Sequence, residues 1–228
     1  EYYRPLGNPT RFIHALLTHF SRAKDEEVYP EDYIKFAEDK KLNTGQSEYL
    51  KKTRNSKPKT RKTKNKKTDV IDDSSAEENE GEALRIDEVA RAYHIYQQLL
   101  LEKGCLDFGD LINYTLKLLR TRPQVRKIWQ NKFKYILVDE FQDTNYAQYE
   151  LIKLLAAPRN NITVVGDDDQ SVYKFRGASI SNILEFKHDY TDAKDVFLTK
   201  NYRSYQNILD TAYTFIQQNN PYRLEVKL

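Results

Sequence analysis

Tyr135-Ile136-Leu137-Val138-Asp139-Glu140-Phe141-Gln142-Asp143 is the stretch on which the fold turns. An aromatic and three aliphatic residues in a row, closed abruptly by acids, are too short for a helix and predict a buried strand. Further on, Ile162-Thr163-Val164-Val165 repeats the pattern and runs into Gly166-Asp167-Asp168-Asp169-Gln170. Between the two, Tyr149, Ile152 and Leu155 share one helical face, and Ala157-Pro158 ends that helix. Strand, helix and strand in so short a span make a βαβ unit, which implies a parallel pair. A helix around Ile180 to Phe186 then leads to a third predicted strand, Val196-Phe197-Leu198. Beyond Asn201-Tyr202-Arg203-Ser204 the chain turns helical again, with Ile208, Ala212, Phe215 and Ile216 on one face.

Upstream the rhythm is different. Asn8-Pro9 opens a helix with Ile13, Leu16, Leu17 and Phe20 on one side, and Tyr29-Pro30 opens a short one containing Tyr33, Ile34 and Ala37. Ile86, Val89, Ala90, Tyr93, Tyr96 and Leu100 mark an amphipathic helix that Gly104 stops. Leu111, Thr115 and Leu118 mark another. Between these helices lies a charged stretch. Lys51 to Lys67 holds ten Lys or Arg in seventeen residues, and Asp69 to Glu82 holds seven acids in fourteen. Neither half carries enough apolar surface to offset its ordering entropy, so 44–82 is predicted to be a mobile insertion. Its halves can neutralise each other as a solvated loop; the basic half can also serve as a DNA-touching arm or a localisation signal.

Composition excludes more than it assigns. The 37 basic and 34 acidic residues nearly cancel, leaving +3 over 228 residues, so net charge alone names no partner. A single cysteine rules out a disulfide framework, and Cys105 reads as a buried boundary residue. His14, His19, His94 and His188 are too scattered for a zinc site. No apolar run approaches the roughly 20 residues of a membrane span, and Glu1-Tyr2-Tyr3-Arg4 has no signal-peptide pattern. A cytoplasmic protein without a membrane partner is the expectation. The absence of methionine predicts a piece of a longer protein or a processed chain.

In parallel α/β sheets ligands bind beyond the carboxyl ends of the strands. Asp139 closes the first strand as a candidate Mg²⁺ ligand, bound through water, since this cation takes oxygen ligands and keeps part of its hydration shell. Glu140 is then placed to polarise the water that attacks a terminal phosphate. A pair of surface acids at a strand exit is the alternative reading of the same two residues. At the second strand end, Gln170 offers a neutral amide that can donate to a phosphate oxygen. Downstream, Tyr173, Lys174, Phe175 and Arg176 alternate rings with cations, as in single-strand platforms, although the two rings would also suit a core. Arg203 can reach a γ-phosphate with its guanidinium fork, and Tyr202 can stack on an adenine ring.

These segments resemble the UvrD/Rep/PcrA branch of superfamily 1 helicases. Ile136 to Thr144 is similar to the family's Mg-binding segment, Val165 to Ala178 to the segment linking nucleotide to DNA, and Leu198 to Ser204 to the motif that follows. Leu106-Asp107-Phe108-Gly109-Asp110-Leu111 matches another recurrent string. The resemblance implies an α/β fold: a partial RecA-like P-loop NTPase parallel sheet over 105–205 with an attached all-helical subdomain over 1–104. Residues 206–228 would begin a second motor domain or a linker helix. It further implies an ATP-dependent 3′-to-5′ DNA helicase, with ATP and Mg²⁺ as cofactors and single-stranded and partly duplex DNA as partner, in a role such as DNA repair. Residue by residue, it places Asp139 on Mg²⁺ and makes Glu140 the catalytic carboxylate. Gln170 and Arg203 would face the γ-phosphate, Tyr202 the adenine, and Tyr173 and Phe175 the DNA bases.

Two departures stand out. Phe175 replaces a customary tryptophan, keeping a stacking face of smaller area. None of the seven glycines, at 7, 45, 81, 104, 109, 166 and 177, begins the G-x-x-x-x-G-K loop that cradles phosphates. The family places that loop upstream and a second motor lobe downstream, so the 228 residues alone are expected to lack useful ATPase activity. A non-catalytic single-stranded-DNA-binding module, a part of a helicase–nuclease subunit, and a nucleotide-independent scaffold remain the competing readings.

Overall fold

The computed structural model describes residues 7–8, 10–55, 74–170 and 180–219. Within it the chain divides into two compact units, one of residues up to Lys24 and from Val28 to Asp110, the other of Asp25–Glu27 and the residues from Leu111 onward.

The first unit is helical. Helix α1 spans Ile13–Asp25, α2 Pro30–Asn55 and α3 Ser74–Glu102. Pro30 stands at the first position of α2, where no amide bond is forfeited, and Glu31 and Asp32 in the first turn complement the helix dipole. The core is aromatic: Phe20 of α1 stacks on Tyr93 of α3 with centroids 4.9 Å apart and planes 15° from parallel, and Val89, Leu16, Tyr33 and Tyr96 close around them. The hydroxyl of Tyr93 donates to the carbonyl of Val28 (3.1 Å), so the ring is buried without leaving its polar end unsatisfied. Helix α3 ends as the sequence predicts. Gly104 adopts φ +63°, its N–H donates to Leu101 O (3.0 Å), and that of Cys105 donates to Leu100 O (2.9 Å), the two bonds of a Schellman motif. Cys105 itself is exposed rather than buried, because it lies in the loop that leaves this turn.

Helices α2 and α3 reach further into the charged stretch than the expected mobile segment 44–82 allows. Helical backbone continues to Asn55 and resumes at Ser74, while 56–73 fall outside the described residues. The reason is local: Glu48, Leu50, Lys51 and Lys52, and Ala76, Glu77 and Glu78, are good helix formers, whatever their inability to build a core.

The string Asp107-Phe108-Gly109-Asp110 opens helix α4, Phe108–Thr121. Asp107 accepts the N–H of Asp110 at Oδ1 (2.9 Å), and Asp110 accepts that of Asp107 at Oδ2 (3.3 Å), a reciprocal cap with aspartate in the place usually held by glutamate or glutamine. Both carboxylates also hold Lys24, a lysine only 2% exposed, at 2.6 and 2.8 Å. A β-carbon on Gly109 would stand 2.7 Å from that of Lys24, so glycine is what lets α4 start this close to the lysine stem.

The second unit carries the sheet. Helix α5, Pro123–Lys132, leads into strand β1, Ile136–Val138; helix α6, Tyr146–Ala156, returns to β2, Ile162–Val164. The strands are parallel, with Ile136 beside Ile162 and Val138 beside Val164. The α/β expectation therefore holds as a small two-stranded parallel sheet with its crossover helix. Asn145 starts α6 with a full capping box: it accepts the N–H of Gln148 (2.8 Å), and Gln148 accepts that of Asn145 (3.0 Å). One face of the sheet, Val138, Ile162 and Val164, packs on Phe141, Tyr149 and Phe186, the last from helix α7, Ile180–Asp189.

Two expectations about this sheet need correction. The strands were expected to be buried throughout, yet they alternate, and Leu137 at the centre of β1 is 75% exposed. Val196-Phe197-Leu198, expected as a third strand, has no strand conformation and is exposed. Its β-branched and aromatic content is right for a strand, but no neighbouring strand among the described residues supplies the ladder that would fix it. Helix α8, Gln206–Ile216, follows. No helix among the described residues is long and apolar enough to cross a membrane.

Candidate functional site

The carboxyl ends of β1 and β2 lie side by side, and the backbone ties them beyond the strands proper. Val165 N–H donates to Val138 O (2.8 Å), and Phe141 N–H donates back to Val165 O (2.9 Å). Asp139 and Glu140 occupy the excursion between these two bonds. Asp139 Oδ1 accepts the N–H of Glu140 (3.0 Å). Glu140 adopts φ 50° and ψ 42°, the left-handed region that a residue with a β-carbon seldom enters. That reversal returns Phe141 to the core, where its ring meets Tyr149 and Phe186 edge-on at 5.5 and 5.7 Å, and leaves both carboxylates exposed.

Gln142 joins the two strand ends. It is 1% exposed, and its Nε2 donates to Glu140 Oε2 (2.7 Å) while its Oε1 accepts the N–H of Asp167 (3.1 Å). Gly166 makes room for it, since a β-carbon there would stand 2.9 Å from Gln142 Oε1. Asp167 organises the next turn: Oδ1 accepts the N–H of Asp169 (3.0 Å) and Oδ2 accepts Nε2 of Gln170 (2.7 Å). An unbroken chain of hydrogen bonds thus runs from Glu140 through Gln142 and Asp167 to Gln170. The structure brings together three of the residues singled out from the sequence, Asp139, Glu140 and Gln170, by means of two that were not, Gln142 and Asp167.

The remaining candidates are placed elsewhere. Asn201 Oδ1 accepts the N–H groups of Arg203 (2.8 Å) and Ser204 (2.9 Å), which turns the chain before α8. Tyr202 and Arg203 are exposed on this turn, and Lys200 lies 5.0 Å from the Tyr202 ring centroid. Among the described residues no hydrogen bond or ion pair links the side chains of Tyr202 or Arg203 to the 139–170 cluster. Tyr173, Lys174, Phe175 and Arg176 lie outside the described residues. Of the histidines, His19 pairs with the Tyr33 hydroxyl (2.8 Å), and no group of three metal-ligating side chains occurs among the described residues.

The donor set decides what could bind. Asp139 and Glu140 at the end of β1 and Asp167 at the end of β2 make this edge acidic without forming a three-ligand cluster, so a bare phosphate would be repelled there. A hard cation removes that objection. Magnesium suits the edge better than a caged metal would, because it is content with one or two carboxylates, water and phosphate oxygens. The neutral amide of Gln170 and the backbone at Gly166 add polar groups without further charge. Sequence pattern marks out neither Gln142 nor Asp167, because their pairing spans 25 positions and is made by the sheet.

Comparison with known proteins adds an independent finding. The N-terminal domain of UvrD/REP helicases matches residues 10–191. Over 132 residues the chain is 52% identical to the ATP-dependent DNA helicase PcrA of Staphylococcus epidermidis and, equally, to that of Staphylococcus aureus. These matches cover 58% of this chain and 18% of each relative, so the chain spans a small part of the length of the curated relatives it matches.

Proposed function

Since the chain belongs to the UvrD/REP helicase family, we propose that it forms part of an ATP-driven DNA motor and that the sheet edge holding Asp139, Glu140 and Gln170 faces the nucleotide. The observation that carries this reading is the hydrogen-bonded chain from Glu140 to Gln170. A catalytic carboxylate and a phosphate-sensing amide must share one edge if hydrolysis is to be felt by the rest of the motor, and the bonds linking Glu140 to Gln170 support assigning them those parts.

In this reading Asp139 would hold Mg²⁺ through water, and the ion would supply neutralisation of phosphate charge. Glu140 orients the attacking water and accepts its proton. Gln170 donates to the γ-phosphate from the position that Asp167 now fixes. Arg203 approaches the same phosphate from its own turn, and Tyr202 stacks on the adenine. Tyr173 and Phe175 stack on bases while Lys174 and Arg176 meet the backbone of the strand, which gives movement on single-stranded DNA, in the 3′-to-5′ sense, next to a duplex. The first unit serves as an accessory subdomain of the motor, and α8 begins the passage to a second lobe.

Two measurements test the reading. In the complete gene product, Asp139→Ala and Glu140→Gln should each lower DNA-stimulated ATP hydrolysis by two orders of magnitude or more, about 3 kcal/mol of barrier or above; full activity in either variant refutes it. The 228-residue chain by itself lacks a G-x-x-x-x-G-K loop and should release no phosphate above background. Turnover near about 1 s⁻¹, within the ordinary enzyme range, would overturn that part.

A further inference from the structure

Resting on the reading of Glu140 as the water-orienting carboxylate, we propose that Gln142 is its positioning residue: the buried amide locks the Glu140 side chain and registers it against the Asp167–Gln170 turn.

Glu140 leaves the sheet in a left-handed conformation with an exposed carboxylate. Among the described residues, the one side-chain bond to that carboxylate comes from Gln142 Nε2, at 2.7 Å. A glutamine amide has a donor end and an acceptor end. Here a carboxylate, which can only accept, takes the donor end, and a backbone N–H, which can only donate, takes the acceptor end. Both partners enforce the same orientation, so the amide cannot flip without losing both bonds in a site that is 1% exposed. Leucine would match the volume and make neither bond. Glutamate would keep the bond to Asp167 and place a second carboxylate against Glu140. Asparagine would be one methylene too short to span the gap. Gly166 fits the same account, because any side chain there meets Gln142 Oε1 first, at 2.9 Å from the first added carbon.

The consequence is kinetic. A carboxylate free to rotate still binds its surroundings but spends most of its time away from the attack geometry, and a displacement of about 1 Å can lower a rate about 100-fold. A change confined to positioning lowers kcat and leaves the apparent affinity for nucleotide nearly unaltered.

The test uses the complete gene product, with single-stranded DNA-stimulated ATP hydrolysis measured against ATP concentration, and melting temperatures recorded for every variant. Gln142→Leu should lower kcat by about 10- to 100-fold with KM for ATP changed by less than about twofold. Gln142→Glu keeps an acceptor for the Asp167 N–H but gives the Glu140 carboxylate no amide donor, so it too should lower kcat by about 10- to 100-fold with KM for ATP nearly unaltered. Gly166→Ala should give an intermediate loss of kcat. If Gln142→Leu retains kcat within about twofold while Asp139→Ala and Glu140→Gln are inactive, the positioning role is refuted and the nucleotide-facing reading stands. If Gln142→Glu keeps kcat within about twofold, Gln142 only fills space and the inference is overturned, even where Gln142→Leu is too unstable to assay. If the unsubstituted protein hydrolyses no ATP, or Glu140→Gln is fully active, it is the underlying reading that fails.

Discussion

Replacing Lys24 with methionine should unravel the first unit well before the second. The side chain is 2% exposed, with Asp107 at 2.6 Å, Asp110 at 2.8 Å and the Tyr96 ring centroid at 5.2 Å. Methionine matches the stem but removes the charge, leaving two carboxylates served only by neutral donors: the Tyr96 hydroxyl (2.9 Å from Asp107), the Gln97 amide (3.0 Å from Asp110) and their own reciprocal backbone N–H groups. Breaking one side of a buried pair costs about 3–5 kcal/mol. Asp107 keeps 27% of its side-chain surface and so some hydration, which argues for the lower end, about 3 kcal/mol. Because two compact units need not unfold together, the assay is hydrogen exchange of the α1 and α3 amides under native conditions rather than a single melt. Protection around Phe20 and Tyr93 should fall by that amount while α6 is unaffected. Adding Asp107→Asn and Asp110→Asn to Lys24→Met should restore part of the loss, since the uncompensated charge is what destabilises. A loss below about 1 kcal/mol, the scale of an exposed pair, would refute the claim that this cluster anchors the unit.

Two further outcomes follow from the same accounting. Burial acts to raise the Asp107 carboxyl, but the hydrogen bond from Lys24, the Asp110 amide and the Lys24 charge outweigh it and hold the group below the usual carboxylate range. A depressed folded value means its contribution is complete above the unfolded value of about 3.9 and is lost as pH falls through the folded one. Acid titration by circular dichroism should therefore show a transition below about pH 4 that Asp107→Asn diminishes. In the second unit, Asn145→Ala removes the capping box of α6 together with the bond from Asn145 Nδ2 to Asp25 Oδ1 (2.7 Å). Stability measured by urea unfolding should fall by about 2 kcal/mol; an unchanged midpoint would show that the cap is replaced by water.

What was legible in the sequence was whatever a short span determines. Ile136 to Val138 and Ile162 to Val164 announce a parallel pair because strand, turn and helix between them leave few other topologies, and a strand that ends on Asp139 and Glu140 announces its own functional edge. Gly104 and Pro30 mark helix ends for reasons contained in single residues. Gln142 was not legible, because its meaning comes from Asp167, 25 positions away, brought beside it only by the sheet. Lys24 was hidden in the same way: on a helical wheel it is one more cation, and only the start of α4 turns it into a buried ion. Val196 to Leu198 misled in the opposite direction. Composition measures readiness to join a sheet, whereas a strand also needs a neighbour.

The left-handed backbone at Glu140 has a practical corollary for anyone who mutates it. A β-carbon in that conformation costs about 1–2 kcal/mol, a penalty glycine does not carry. Glu140→Gly should consequently relieve the torsion but leave the buried Gln142 amide without its carboxylate, Glu140→Val should lose on both counts, and Glu140→Gln alters the chemistry while keeping both the torsion and an acceptor for Gln142. Backbone relief and turnover would then move in opposite directions at one position, which is the pattern expected wherever a fold maintains an awkward bend to keep a reactive group in place.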